Sequence, residues 1–203
     1  MKLIIISGFL GSGKTTLLLG LVRRLTSGNG CDFVILENEV GEIGIDGVFL
    51  EKQGLQVKEL YSGCVCCQLA GDLVVTLREI KDVLDPDGVI LEASGLAKVE
   101  SILDTLDRYY GELEGTMVIS LADLERFELY QEEPMPFVIN QIRYADLVVL
   151  NKTDSGDGEL TATMAAKLAE LNPDAEVIGV SALEGSNLDL VAERLGTWMR
   201  TTS

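Results

Sequence analysis

Short apolar runs alternate with longer stretches of helical periodicity from one end of this chain to the other. The first run, Leu3-Ile4-Ile5-Ile6, has no polar member, the pattern of a strand buried on both faces. Leu17, Leu18, Leu21, Val22 and Leu25 then fall on one side of a helix over 16–25. Phe33-Val34-Ile35-Leu36 predicts the next strand, and residues 55–60 a more exposed one. Leu69, Leu73, Leu77, Ile80 and Leu84 stripe a helix over 67–84, with Pro86 beyond it as a stop. Strands at Val89-Ile90-Leu91 and Met117-Val118-Ile119 flank a helix near 99–106. Over 125–144 the pattern is helical on either side of Pro134 and Pro136, neither of which fits inside a regular helix. Leu147-Val148-Val149-Leu150 is a further strand. Leu160, Met164, Leu168 and Leu171 mark a helix closed by Asn172-Pro173. Val177-Ile178-Gly179-Val180 is the last strand, and Leu188, Val191, Leu195 and Trp198 make the last helix. Alternation of this kind predicts an α/β fold, a mainly parallel sheet with helices on both faces.

No repeat or low-complexity linker interrupts the pattern, and 203 residues suit one domain over 1–203 with a substantial core. The weakest pattern is at 38–54, with four glycines and Glu39, Glu42, Asp46 and Glu51. A loop of that length usually carries function or moves, although a solvated surface loop fits the same composition.

Charge narrows the partners. Lys and Arg number 16 against 33 Asp and Glu, a net −17, which repels nucleic acid and anionic membranes and suits a cation or a basic partner. Met1-Lys2 and the apolar run after it imitate a signal peptide, but the run breaks at Ser7-Gly8 and soon meets Lys14. No stretch approaches ~18 uninterrupted apolar residues, so none is expected to span a bilayer. A cytoplasmic protein with four reduced cysteines is the expectation. With no histidine, a transition-metal site must be built from thiolate and carboxylate.

Between the first strand and first helix stands Gly8-Phe9-Leu10-Gly11-Ser12-Gly13-Lys14-Thr15, which fits the phosphate-cradling pattern G-x-x-x-x-G-K-[ST]. A turn through Gly11, Ser12 and Gly13 aims backbone N–H groups at one point, beside the positive end of the helix dipole. Lys14 adds a charge for the outer phosphates, and Thr15 offers a hydroxyl to Mg²⁺. Both would then be catalytic, because phosphoryl transfer asks mainly for stabilised charge. Glu92, ending the strand at 89–91, is the expected second Mg²⁺ anchor, and Gly95 lets the backbone approach the terminal phosphate. Glu37 or Glu39 is a candidate to orient the attacking water, and Glu39 would then join Lys14 and Thr15 as a catalytic group.

Asn151-Lys152-Thr153-Asp154 directly follows the strand at 147–150, where it can meet a base. An Asp154 carboxylate accepts from guanine's ring N–H and amine, a donor pair adenine lacks, while the Lys152 stem lies over the base. Ser181-Ala182 is placed for a backbone N–H to reach the guanine oxygen. The nucleotide expected is therefore GTP, with GDP as product.

Gly63-Cys64-Val65-Cys66-Cys67 puts three thiols just before a predicted helix, whose positive end favours thiolate. Thiolates select zinc-like or cuprous ions, and three ligands leave an open fourth position on a metal meant to be passed on. A four-cysteine iron–sulfur cluster would need Cys31, far along the chain. Buried structural cysteines and a redox-active pair are the other readings.

Together these motifs resemble the CobW-like metal-chaperone GTPases, relatives of the GTPases that insert nickel into urease and hydrogenase. The similarity runs through the loop to Thr16, then Asn38–Asp46, Gly63–Cys67, Glu92-Ala93-Ser94-Gly95-Leu96-Ala97, and Gln141–Asp146 into Asn151–Asp154. It implies a switch loop at 37–46, cargo metal on Cys64, Cys66 and Cys67, a nucleotide-dependent homodimer, slow GTP hydrolysis and a client metalloprotein. The family's usual carboxy-terminal domain and His-rich stretches have no counterpart in this sequence, and Ala97-Lys98-Val99 stands where members often carry Ala-Asp-Pro. A conformational chaperone of a cofactor-dependent enzyme, such as a corrinoid one, and a small-molecule kinase are the alternative functions.

Overall fold

A computed structural model describes residues 1–29, 31–37, 56–59, 69–126 and 135–201. Its sheet strands are β1 (Lys2–Gly8), β2 (Phe33–Glu37), β3 (Gln56–Glu59), β4 (Gly88–Glu92), β5 (Thr116–Asp123), β6 (Leu147–Asn151) and β7 (Glu176–Gly179). They lie in the order β3-β2-β4-β1-β5-β6-β7, and every pairing is parallel. The helices are α1 (Lys14–Asn29), α2 (Leu69–Val83), α3 (Val99–Tyr109), α4 (Pro136–Arg143), α5 (Gly158–Leu171) and α6 (Leu188–Arg200).

Parallel strands need crossovers, and crossovers cover both faces with helices, so the central strands are mostly apolar on both faces. Successive side chains of β1 divide between the faces. Leu3 and Ile5 pack with Leu77 of α2, Val99 of α3, Ile142 of α4 and Leu168 of α5. Ile4 and Ile6 pack with Leu18 and Leu21 of α1 and Val191 and Leu195 of α6. The α/β architecture is thus the one the alternation predicts, and the strand expected to be the more exposed lies at the sheet edge as β3.

The stretch at 125–144, expected to be helical on either side of its prolines, departs from that at its start, while residues 127–134 lie outside the described residues. Glu125 and Arg126 form a turn after β5, and the described helix begins only at Pro136, its first residue. Asp123 is the cause at the front. Its Oδ1 accepts the Glu125 N–H at 3.0 Å and its carbonyl accepts the Arg126 N–H at 3.2 Å, a local turn that competes with helix. Pro136 sits where its missing N–H costs nothing. Helix α2 keeps Leu73, Leu77 and Ile80 buried, as its stripe predicts.

Because all seven strands are parallel, their carboxyl ends share one edge. On that edge β1 is flanked by β4 and β5, and α1 leaves from it. Such an edge, where connections depart to opposite sides, is where open α/β sheets bind ligands.

Candidate functional site

Residues 9–13 join β1 to α1, and the turn closes with the Ser12 N–H donating to the Phe9 carbonyl at 3.1 Å. Gly13 has φ +94°, and a Cβ there would lie 2.4 Å from Asn151 Nδ2, so only glycine fits. Gly13→Ala should therefore strain the backbone, displace Asn151 and lower stability by about 1–3 kcal/mol. Urea unfolding checks the first effect, and an accompanying loss of GDP affinity checks the second. Lys14 opens α1 with 5% of its surface exposed, and no described residue forms a hydrogen bond or ion pair with it. A secluded ammonium with no counter-charge among the described residues suits a site whose anion arrives with the ligand. Thr16 is exposed one turn position further on.

The register of β1 with β4 sets Ile6 beside Glu92. This brings Glu92, which is buried, to the start of α1, where Thr15 Oγ1 donates to Glu92 Oε1 at 2.7 Å. A hydroxyl and a carboxylate in contact are an all-oxygen donor pair, the chemistry a hard cation such as Mg²⁺ takes. Gly95 follows closely, for a Cβ on it would lie 2.8 Å from the Leu10 backbone nitrogen. The segment after Glu92 therefore presses on the phosphate loop. Gln141 of α4, 1% exposed, secures it by donating from Nε2 to the Gly95 and Ala97 carbonyls at 3.2 and 3.1 Å. No role for Gln141 was expected. Its signal is a polar residue on the buried stripe of a helix, between Val138 and Ile142.

At the other end of the loop Asn151 is a strut. Its Nδ2 donates to the Ser12 carbonyl at 2.8 Å and its Oδ1 accepts the Ala182 N–H at 2.9 Å. Lys152 takes a left-handed backbone conformation, φ +66°, and its Nζ donates to Asp123 Oδ2 at 2.6 Å. Asp154 is exposed in the short 3-10 turn Thr153–Ser155. The Ser181 N–H donates to the Ser186 carbonyl, and the Ser181 hydroxyl accepts from Glu184. Of the three N–H groups at 181–183, only that of Leu183 has no hydrogen bond among the described residues, and Leu183 is 82% exposed. Asp123 escaped the sequence reading, although an acid closing an apolar strand was its visible sign.

The expected metal and water residues fare differently. Glu39, Cys64, Cys66, Cys67 and the switch loop beyond Glu37 lie outside the described residues. Glu37 ends β2 and pairs in register with Glu92 and with Glu59 of β3. Among the described residues no three metal-binding side chains come together. Cys31 stands just before β2, at the end of the sheet opposite the phosphate loop. Burial, followed by the Asp87 carboxylate, pushes its thiol pKa up, which disfavours the ligating thiolate. No helix among the described residues is long and apolar enough to cross a membrane.

Comparison with known proteins agrees with this arrangement. The zinc chaperone YjiA of Escherichia coli (strain K12) is 33% identical over 192 residues, covering 87% of this chain and 56% of the relative. The chain spans about half the length of the curated relatives it matches. Among solved structures, the hydrogenase maturation factor HypB from Archaeoglobus fulgidus superposes with a TM-score of 0.73 at 21% identity, covering 98% of this chain and 91% of that one. The Zn(II)-bound YjiA GTPase from E. coli gives 0.63 at 25% identity, covering 89% and 57%. The family model described as CobW/HypB/UreG, nucleotide-binding domain, matches residues 2–179, and the chain belongs to that family of GTPases and metal chaperones.

Proposed function

We propose that this chain binds GTP with Mg²⁺, hydrolyses it slowly to GDP, and couples the turnover to handling a thiolate-bound metal ion for a client protein. The observation that carries the reading is the alignment along one sheet edge of Lys14, the Thr15–Glu92 pair and the Asn151–Lys152–Asp154 turn. Phosphates would lie on the N–H groups of Gly11, Ser12, Gly13, Lys14 and Thr15, with Thr16 beside them. Thr15 and Glu92 would hold Mg²⁺, which supplies charge neutralisation on the phosphate oxygens. Lys14 stabilises the charge that develops as the terminal phosphoryl group leaves. Asp154 reads the guanine donors, Lys152 covers the base, and the Leu183 N–H is the donor open to the guanine oxygen beside Ser181 and Ala182. Gly95 meets the terminal phosphate, and Glu39 orients the attacking water.

The cargo is an ion of the zinc, cobalt or nickel class on Cys64, Cys66 and Cys67, with zinc favoured by the zinc chaperones among the relatives. A client metalloprotein, a nucleotide-dependent homodimer and a cytoplasmic setting complete the proposal. Its test is competition for Zn²⁺ against a chelating dye under reducing conditions, with GDP or a non-hydrolysable GTP analogue. Metal affinity should differ between the two states by roughly five- to 150-fold, the usual size of such couplings. Cys66→Ser and Cys67→Ser should each weaken the metal and leave GDP binding near wild type. Equal affinity in both states removes the coupling. Absence of metal binding favours a conformational chaperone of a cofactor-dependent enzyme, with structural cysteines.

A further inference from the structure

Asp123 closes β5 with 1% of its surface exposed, yet it stands between two cations. Its Oδ2 lies 2.6 Å from Lys152 Nζ and 3.9 Å from Arg126 Nε, while its Oδ1 accepts the Glu125 N–H at 3.0 Å. The cations face different parts of the nucleotide site. Lys152 belongs to the base-side turn, directly after the Asn151 strut. Arg126 lies against the phosphate loop, for a Cβ on Gly11 would sit 3.2 Å from its Nη1. Both remain accessible, with 31% of the Lys152 side chain and 50% of the Arg126 side chain exposed.

A buried carboxylate beside a polyanion site works against the ligand unless cations outweigh it. Here it is paired on both sides, so the carboxylate and its two cations together carry a net positive charge. The backbone fixes where the Lys152 side chain starts. The Thr153 N–H donates to the Val180 carbonyl and the Ser155 N–H to the Lys152 carbonyl, holding the left-handed residue in its turn. Four flexible methylenes follow, and Asp123 fixes their far end. A stem held at both ends is a preformed platform, and a free one would lose rotamer freedom on meeting the base.

The geometry points to Asp123 as a positioning residue for nucleotide recognition, holding the Lys152 stem across the base and Arg126 beside the loop as a further phosphate-binding cation. This rests on the GTP reading above. Titration of the full chain with a fluorescent GDP, and competition by GTP, ADP and guanosine, tests it. Asp123→Asn keeps the shape and the acceptor for Glu125, and should weaken GDP and GTP alike by about ten- to thirtyfold. In a Lys152→Met, Arg126→Gln background the same substitution should cost less than twofold, because the groups it positions are gone. Arg126→Gln alone should weaken GDP about five- to tenfold and leave guanosine unchanged. A purely structural Asp123 would cost equally in both backgrounds, and that result overturns the proposal, as does wild-type GDP affinity in Asp123→Asn. Should Asp123→Asn not fold, Lys152→Met and Arg126→Gln decide, and unchanged GDP affinity in both overturns it. Wild-type protein that fails to prefer GDP over ADP removes the GTP reading itself, an outcome separable from the variants.

Discussion

Lys14→Ala is expected to abolish GTP turnover, a loss of about a hundred- to a thousandfold or more, in a protein that stays folded. The two halves of this expectation have different causes. Lys14 holds no described partner, so its removal breaks no internal hydrogen bond or ion pair. It opens α1, where alanine is a better helix former than lysine. Taking away a secluded ammonium with no counter-charge among the described residues also removes a desolvation cost, so unliganded protein should melt no lower than wild type. Turnover behaves oppositely. The phosphoryl group leaves with its charge spread over its oxygens, Lys14 is the loop's own cation, and preorganised charge is most of what this chemistry requires. Circular dichroism, thermal melting and GTP hydrolysis on one preparation check both halves. Undiminished hydrolysis would show that the loop is not catalytic, whereas a collapsed spectrum would show that Lys14 is structural.

Asp154→Asn is expected to lower GTP affinity by about thirty- to a thousandfold, corresponding to ~2–4 kcal/mol. The substitution turns one acceptor oxygen into a donor facing guanine's own donors, so contacts are lost and one is made repulsive. Asp154 is exposed in its 3-10 turn, and its side chain forms no hydrogen bond or ion pair with any described residue. Folding should therefore be untouched, and the whole effect should appear in binding. Xanthine nucleotide carries a carbonyl where guanine has the amine, and should recover part of the affinity in the variant. Titration of both proteins with GTP, ATP and xanthosine triphosphate reads all of this. A wild type that prefers ATP, or a variant with full GTP affinity, would remove the guanine assignment.

Not all of the chain could be read with equal ease. The helix expected over 125–144 failed at its start because an apolar stripe cannot show that Asp123 will capture two backbone groups of the next residues. Local hydrogen bonds to an Asp side chain leave no periodic trace. Ser181 and Ala182 were placed correctly at the end of their strand, but which N–H remains open depended on Asn151 Oδ1 and the Ser186 carbonyl already occupying two of them. Asp123, and the role of Gln141, were missed for a related reason. Each looks like an ordinary polar residue until the elements around it are packed.

The sequence by itself determined the strand–loop–helix at 3–25, the alternation that requires a parallel sheet, and the residue types at both ends of the nucleotide site. These are local properties, because a phosphate cradle is written in eight consecutive residues and burial on both faces is written in unbroken apolar runs. Only the tertiary structure decided which of those residues touch. Thr15 and Glu92 are 77 residues apart, Ser12 and Asn151 139, and Asp123 and Lys152 29. Strand order and register bring them to one edge. That order is set by how seven strands and their crossovers bury two apolar faces at once, a condition on the whole chain that no short window contains.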